Sequence, residues 1–279
     1  MCIEKVEISG LCQRYDIEWN NLHPDVNVLA GINGSGKSTI LDCIFTHLTN
    51  KKESLGNEKT DKVNIILKNS REMPNNNNYA ININIISTFD MPLIPLEAAQ
   101  QLSDERVKTY LDWKIHKLGQ ICWNYLRNIS REKDRIIETS DSPKEELLKL
   151  KQPLDKFIRI VNKFFSETGK KINRDENEIS FLSGSTKINA YQLSSGEKQL
   201  LIILLTVLVQ DNKPFILLID EPEISLHIEW QRKLIKYIRE LNLNVQIILA
   251  THSPAIIMEG WLDKVFEVRD LIVKDCTTC

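Results

Sequence analysis

GINGSGKST, residues 31–39, is the most informative stretch of the chain. It matches the pattern G-x-x-x-x-G-K-[ST], in which glycines let backbone N–H groups curl around phosphate oxygens. The β-rich run VNVLA (26–30) precedes it and the apolar run TILDCIF (39–45) follows it, so the loop joins a strand to a helix N-terminus, which favours an anion. The candidate nucleotide-binding residues are Asn33, Gly34, Ser35, Gly36, Lys37, Ser38 and Thr39. We expect Lys37 to reach the β- and γ-phosphates of ATP and the Ser38 hydroxyl to bind Mg²⁺.

A pair of adjacent acids ends the apolar strand in PFILLIDEPEISLH, residues 214–227. Neighbouring residues on a strand point in different directions, so one acid can bind a metal while the other faces a water molecule. Asp220 is therefore the candidate magnesium ligand and Glu221 the candidate general base. Such a pair is weak evidence alone, and it becomes strong beside a phosphate-binding loop in the same predicted sheet.

His252 follows another apolar run, QIILA, at 246–250. The carboxyl ends of parallel strands are where α/β sheets bind their ligands, which favours a functional histidine over an ordinary core or surface one. A neutral imidazole there could hydrogen-bond a γ-phosphate or the attacking water. His252 is the second candidate catalytic residue.

Composition limits the classes of protein that remain. The chain has 279 residues, is 42% hydrophobic and carries a formal net charge of -2, which argues against a globally basic nucleic-acid binder. No apolar run reaches the length of about 18 residues that a membrane span needs, and no signal peptide is apparent, so we expect a cytoplasmic protein without membrane contact. The six scattered cysteines predict free thiols, and the terminal CTTC (276–279) is half a zinc site or a frayed tail.

The pattern of hydrophobic residues divides the chain into three parts. Short β-rich runs occupy 1–96 and contain the phosphate loop, helical periodicity occupies 97–170, and strands and helices return in 171–279. This order predicts one α/β core that is split in sequence by a helical insertion. Residues 97–171 carry 16 Lys and Arg against 12 Asp and Glu, a modest excess that leaves open either a solvated helical surface or a face for DNA or an acidic partner.

The ordered set GINGSGKS, LSSGEKQ, LLIDEPEISLH and ATHSP resembles the ABC-type ATPase superfamily, and more narrowly its soluble RecF, SMC and OLD-like branch. The resemblance implies an α/β P-loop NTPase head with mixed sheets and a compact helical insertion. It implies an ATP hydrolase that uses Mg²⁺ and binds ATP between two heads. The segment carried over to the γ-phosphate of a partner's ATP is Ser194, Ser195 and Gly196.

Two family positions fit this sequence less well. The glutamine expected at the end of the strand before the insertion is missing, and ININIISTFDMPL offers Asp90 or Thr88 instead, of which Asp90 is a candidate contact to metal or water. His227 stands where transporter subunits have an aspartate that acts across the dimer.

The resemblance also limits the partners. The insertion is too short for the coiled-coil arms of SMC proteins, and no nuclease domain of the OLD type follows residue 270, so we expect a separately encoded effector such as a nuclease, as in ATPase components of bacterial anti-phage defence systems. Two alternatives remain: an ATP-bound scaffold or sensor with little turnover, and a transporter subunit, which DEPE at 220–223 disfavours.

Overall fold

Two neighbouring inner strands of the larger sheet are buried along their whole length. The structure is a computed structural model that describes residues 2–49, 60, 62–68, 82–87, 104–174, 176 and 178–275. β9 (Phe215–Asp220) and β10 (Val245–Ala250) have no exposed residue. Continuous apolar runs of this kind are typical of a parallel sheet that is covered on both faces. β3 (Val26–Ala30), β5 (Ile83–Ser87) and β11 (Val265–Glu267) complete the sheet in the order β11-β3-β10-β9-β5, and every pairing in it is parallel.

A second, antiparallel sheet combines strands from the two ends of the described chain. β1 (Cys2–Leu11), β2 (Tyr15–Trp19), β4 (Lys62–Lys68) and β12 (Ile272–Asp275) run in the order β12-β2-β1-β4. The buried amide of Gln246 in β10 ties this sheet to the parallel one, because it pairs with both the N–H and the C=O of Ile3 at 2.7 and 2.8 Å. Helix α1 (Lys37–Thr49) buries Ile40, Leu41 and Ile44 in the core that the two sheets share.

Two long helices form a lobe beside the parallel sheet. α2 (Tyr110–Thr139) begins with a capping box between Thr109 and Asp112, and α3 (Pro143–Phe164) returns beside it. The start of α3 at Pro143 agrees with the proline's fixed φ, which suits a first helical position. Ser142 makes no side-chain cap, however, and the nearby Ser140 hydroxyl bonds Glu146 instead.

Helix α4 (Ser195–Leu208) packs between the lobe and the parallel sheet. A small antiparallel sheet of β6 (Lys170–Ile172), β7 (Ser180–Ser183) and β8 (Thr186–Asn189) connects the lobe to it. α5 (Ile228–Leu241) and the short α6 (Pro254–Ile257) follow β9 and β10. Because α4 is buried on nearly every side, its sequence is apolar all round rather than on one stripe.

Two adjacent charged residues at the start of α4 hold the lobe. Glu197 receives hydrogen bonds from Lys170 Nζ and Thr168 Oγ1, both at 2.8 Å, just after α3. Lys198 Nζ lies 2.8 Å from Asp112 Oδ1 in the first turn of α2. Both pairs are largely buried, so one turn of α4 is fixed to the beginning and to the end of the lobe.

Several expectations fall outside the described residues. They are Asp90 and its alternative Thr88, and the terminal Cys-x-x-Cys. The boundary between 96 and 97 also lies there, so the division into 1–96, 97–170 and 171–279 stays a prediction. Within the described part of the chain, no helix is both long and apolar enough to cross a bilayer.

Breaking one of the buried ion pairs should destabilise the fold. Lys198→Met leaves Asp112 buried without its cation, so we expect the free energy of unfolding to fall by about 3–5 kcal/mol in urea titrations. The matched control is Arg135→Met, which breaks the exposed pair with Glu132 in the same lobe and should cost less than about 1 kcal/mol. Equal losses in the two variants would contradict this role for Lys198.

Candidate functional site

The loop after β3 wraps around the side chain of Lys37. Gly34 and Gly36 have φ of 78° and 96°, and a Cβ at Gly36 would come within 3.1 Å of Leu11 Cδ2. Positive φ is a conformation that glycine adopts without steric cost, so the glycine spacing allows this turn. Lys37 is 5% exposed, and its Nζ donates to the carbonyl of Gly31 at 3.1 Å. The loop thus presents its backbone at the start of α1 while its lysine lies inside.

Side chains from three neighbouring strand ends meet at the Lys37 ammonium group. Lys37 follows β3, and its Nζ lies 3.4 Å from Glu221 Oε1, after β9, and 2.5 Å from His252 Nε2, after β10. Glu221 and His252 also contact each other at 3.1 Å. The parallel pairing of the three strands accounts for this meeting, because their carboxyl ends lie at one edge of the sheet.

Asp220 and Glu221 point to different partners, as their neighbouring positions require. The Ser38 hydroxyl donates to Asp220 Oδ1 at 3.0 Å. Burial raises the pKa of Asp220, and the hydrogen bond from Ser38 opposes that rise. Glu221 has left-handed backbone angles, φ 47° and ψ 52°, so the chain turns sharply directly after the strand. The turn carries Glu221 toward Lys37 while Asp220 stays beside Ser38.

The Glu221 carboxyl group titrates near neutrality. Burial raises its pKa to about 7, the neighbouring Glu223 carboxyl adds to the rise, and Lys37 opposes it. A pKa close to the working pH suits a general base, because the group is then substantially ionised and still accepts a proton readily.

The segment Ser194–Gly196 lies outside this buried cluster. Ser194 is the N-cap of α4: its hydroxyl accepts from the Glu197 N–H at 3.3 Å, and its own N–H donates to the Glu197 carboxylate at 2.9 Å. Ser194 and Ser195 are exposed, whereas Gly196 is buried. A Cβ at Gly196 would lie 2.3 Å from the Ser225 carbonyl oxygen. The start of α4 therefore abuts the loop that follows Glu221.

The sequence alone predicted no role for three further residues of the site, Glu197, Glu223 and Gln231. Glu197 is 1% exposed; burial raises its pKa, but hydrogen bonds from Lys170, Ser194 and Thr168 outweigh burial and hold the pKa low. Its capping-box spacing from Ser194 was a usable signal. For Glu223 and Gln231 no local spacing gives the contacts, because both side chains bond residues of the loop that follows β10. His227, placed by the resemblance at an inter-subunit position, is exposed and caps α5 through Nδ1.

A family model matches residues 99–259, more than half of the chain, and is described as "AAA domain, putative AbiEii toxin, Type IV TA system". The chain belongs to this family. The match includes the lobe, Ser194–Gly196, the two acids Asp220 and Glu221 at the end of β9, and His252, and it begins after the phosphate loop.

The chain also resembles individual proteins, at low sequence identity. The chain is 26% identical over 105 residues to "Retron Vc95 probable ATPase" of Vibrio cholerae serotype O1 biovar El Tor, a match that covers 34% of this chain but spans only 20% of that protein. The SMC head bound to the C-winged helix domain of ScpA superimposes with a TM-score of 0.52 and 17% identity over 93% of this chain and 92% of that one. The SMC head domain from Thermotoga maritima gives a TM-score of 0.48 and 16% identity over 96% and 94%. The first superposition shows a shared fold, and the predicted α/β P-loop NTPase head with mixed sheets is confirmed.

The close approach of α4 to the loop that follows Glu221 predicts different effects for two glycines. Gly196→Ala places a methyl group against the Ser225 backbone, so we expect a loss of about 1–3 kcal/mol in thermal or urea unfolding. Gly119→Ala, inside α2, has open space around the new Cβ and should be neutral or stabilising by up to about 1 kcal/mol. A Gly196→Ala variant as stable as the parent would contradict the tight contact.

Proposed function

We propose that this chain binds Mg-ATP between two copies of its head and hydrolyses it to gate a separately encoded effector. The observation that carries the proposal is the convergence of Lys37, Glu221 and His252 at one edge of the parallel sheet. A phosphate-loop lysine, a carboxyl group with a pKa near neutrality and an imidazole are the groups that phosphoryl transfer to water requires.

The phosphate loop is proposed to hold the ATP phosphates. The exposed backbone of Asn33 and Gly34, the N-terminus of α1 and the Lys37 ammonium would share the charge of the β- and γ-phosphates. Lys37 contacts Glu221 and His252, so a phosphate oxygen that bonds its ammonium competes with those two groups. Glu221, relieved of the cation, is then the stronger acceptor for a proton from water. His252 is proposed to contact the γ-phosphate or that water.

The oxygen donors beside the loop fit a magnesium ion. The Ser38 hydroxyl and the Asp220 carboxylate lie 3.0 Å apart, and Mg²⁺ in ATPases takes one or two protein oxygens together with water and phosphate oxygens. When bound, the ion would neutralise charge that develops on the transferred phosphate. Asp90 stays a further proposed contact, outside the described residues.

The exposed N-cap of α4 is the proposed contact with the partner head. Ser194, Ser195 and the N–H of Gly196 stand at the positive end of a buried helix of 14 residues. The Ser194 hydroxyl is engaged with Glu197, and an approaching γ-phosphate would compete for the same groups. Each copy would thus supply the phosphate loop of one site and the α4 N-cap of the other.

The effector is proposed from the relatives and not from a surface of this chain. The family description names a toxin of a type IV toxin–antitoxin system, and the Vibrio cholerae relative is named as a retron ATPase. Both names support a place among bacterial anti-phage defence components in which the ATPase works beside another protein, such as a nuclease, or on DNA.

Replacing the proposed base should separate binding from turnover. We expect Glu221→Gln to retain ATP binding, to lose about 100-fold or more in hydrolysis, and to accumulate as an ATP-dependent dimer in size-exclusion chromatography. Lys37→Ala is the control, because it should lose ATP binding and therefore also the dimer. A Glu221→Gln variant that hydrolyses ATP at the parent rate would remove Glu221 as the base, and one that stays monomeric at every concentration would remove the two-headed model.

A bulky cation at the proposed partner contact should block assembly alone. Ser194→Arg is expected to leave the binding of a fluorescent ATP analogue intact while abolishing dimerisation and hydrolysis. Ser142→Arg, at an exposed N-cap in the lobe, is the matched control and should change neither. Ser194→Ala measures the simple loss of the cap, worth about 1 kcal/mol of stability. If Ser194→Arg hydrolyses ATP as the parent does, Ser194 does not face a second nucleotide.

A further inference from the structure

Glu223 joins the loop after β9 to the loop after β10. It lies in the short 3-10 turn Pro222–Ile224, two residues beyond Glu221. One oxygen, Oε1, accepts from the Thr251 hydroxyl and from the backbone N–H of His252, both at 2.6 Å. Two short hydrogen bonds to one oxygen hold it against two groups at once, so they fix the loop more firmly than either bond alone.

The residues that donate to Glu223 are themselves held in place at the end of β10. Thr251 is fully buried, and its N–H donates to the Leu29 carbonyl at the end of β3. The Thr251 hydroxyl also accepts from the Ser253 N–H at 2.9 Å. The residues on both sides of His252 are therefore fixed to the strand ends.

A second side chain forms hydrogen bonds with the same two loops. Gln231, in α5, donates to the carbonyls of Leu226 and Glu223 at 2.7 and 3.2 Å, and its Oε1 accepts from the Ser253 hydroxyl at 2.6 Å. The loop that carries Glu221 and the loop that carries His252 thus form one unit. Within that unit, Glu223 is the residue whose side chain bonds the backbone of His252.

The ring of His252 has partners that can change during a reaction cycle. Its Nε2 contacts Lys37 and Glu221, and both of these groups have proposed roles toward ATP and water. A ring whose side-chain contacts are exchanged keeps its place only if its backbone is held independently. Glu223 holds the His252 backbone through its N–H. Among the contacts described, Glu223 does not itself touch Lys37.

We infer that Glu223 is a positioning residue that aims His252 at the phosphate loop through the His252 backbone N–H and the Thr251 hydroxyl. The inference deepens the proposed function and rests on it. Toward His252, Glu223 acts as a hydrogen-bond acceptor of fixed reach, whereas its charge acts on the neighbouring Glu221 by raising the pKa of that carboxyl group. The acceptor role distinguishes it from Glu221, which needs an ionisable carboxyl group. The variants below are therefore compared well above pH 7, where Glu221 is ionised in all of them.

Two conservative variants distinguish the effect of the length of the Glu223 side chain from the effect of its charge. Glu223→Gln keeps the length and an acceptor oxygen but removes the charge. Glu223→Asp keeps the charge but is one methylene shorter, so one oxygen no longer reaches both donors. Positioning predicts that Gln retains most of kcat, whereas Asp and Ala lose about 10- to 100-fold with little change in KM for ATP, since a misplacement of about 1 Å can cost that much. Glu229→Ala, at a half-buried glutamate of α5 that pairs with Arg232, is the matched control and should be unaffected.

A double-mutant cycle tests whether Glu223 acts through His252. If it does, Glu223→Ala added to His252→Ala lowers kcat no further than His252→Ala alone. Full additivity would overturn the inference, and so would a Glu223→Asp variant more active than Glu223→Gln, because that order assigns the effect to charge. Thermal unfolding of every variant shows whether a loss of kcat reflects a loss of fold.

An NMR readout keeps the inference testable apart from ATP hydrolysis. The chain has five histidines, so the imidazole ¹⁵N and ¹H resonances of His252 can be assigned with His252→Ala. We expect them to shift in Glu223→Ala and Glu223→Asp and to stay near the parent positions in Glu223→Gln. Unshifted resonances in all three would overturn the positioning role. If the variants show these shifts but the parent protein hydrolyses no ATP, the proposed function is overturned and the positioning role stays intact.

Discussion

The contact of the buried Lys37 ammonium with Glu221 and His252 is the interaction on which the rest of the site depends. A lysine that is 5% exposed needs acceptors, since a buried unpaired cation costs several kcal/mol. Two loop carbonyls, one carboxyl group and one imidazole supply them. These acceptors lie in the loops that follow three strands, so the burial of the lysine depends on the side-by-side pairing of β3, β10 and β9. The chemistry of the phosphate loop and the topology of the sheet are therefore one constraint.

That constraint also explains the distribution of polar residues along the chain. β9 and β10 are buried throughout, and each is followed at once by the residues of the site. Inside the sheet a carboxylate would lack partners; at the strand ends, backbone N–H groups, Ser38, Thr251 and Lys37 supply them. The left-handed backbone at Glu221 is the local cost of turning the chain there, of order 1–3 kcal/mol. The contacts of Glu221 and the brace through Glu223 and Gln231 offset it.

Much of the fold and of the candidate site could be predicted from the sequence. The features that could not be predicted share one physical cause. The runs 26–30, 215–220 and 245–250 are strands because apolar, β-branched stretches of that length are typical of a buried sheet. Asp220, Glu221 and His252 could be named because they lie at or just after the ends of two such strands, and Lys37 and Ser38 because they open the helix after the third. Glu223 and Gln231 could not, since their role lies in hydrogen bonds to the loop after β10, and no local spacing in the sequence records these. β12 was missed for a similar reason: a strand of four residues is defined by its pairing with β2 rather than by its own pattern.

The start of α4 shows how the site and the lobe are mechanically joined. Successive residues on a helix point about 100° apart, so Glu197 and Lys198 reach different neighbours from one turn, the first to Lys170 after α3 and the second to Asp112 in α2. The same turn carries Ser194 at its cap and Gly196 against the Ser225 carbonyl. If the lobe shifts while both ion pairs stay intact, the first turn of α4 shifts with it. The cap then moves relative to the phosphate loop, or Gly196 separates from the loop that follows Glu221. Packed interiors resist gradual deformation, so such a shift favours two discrete arrangements over a continuous range.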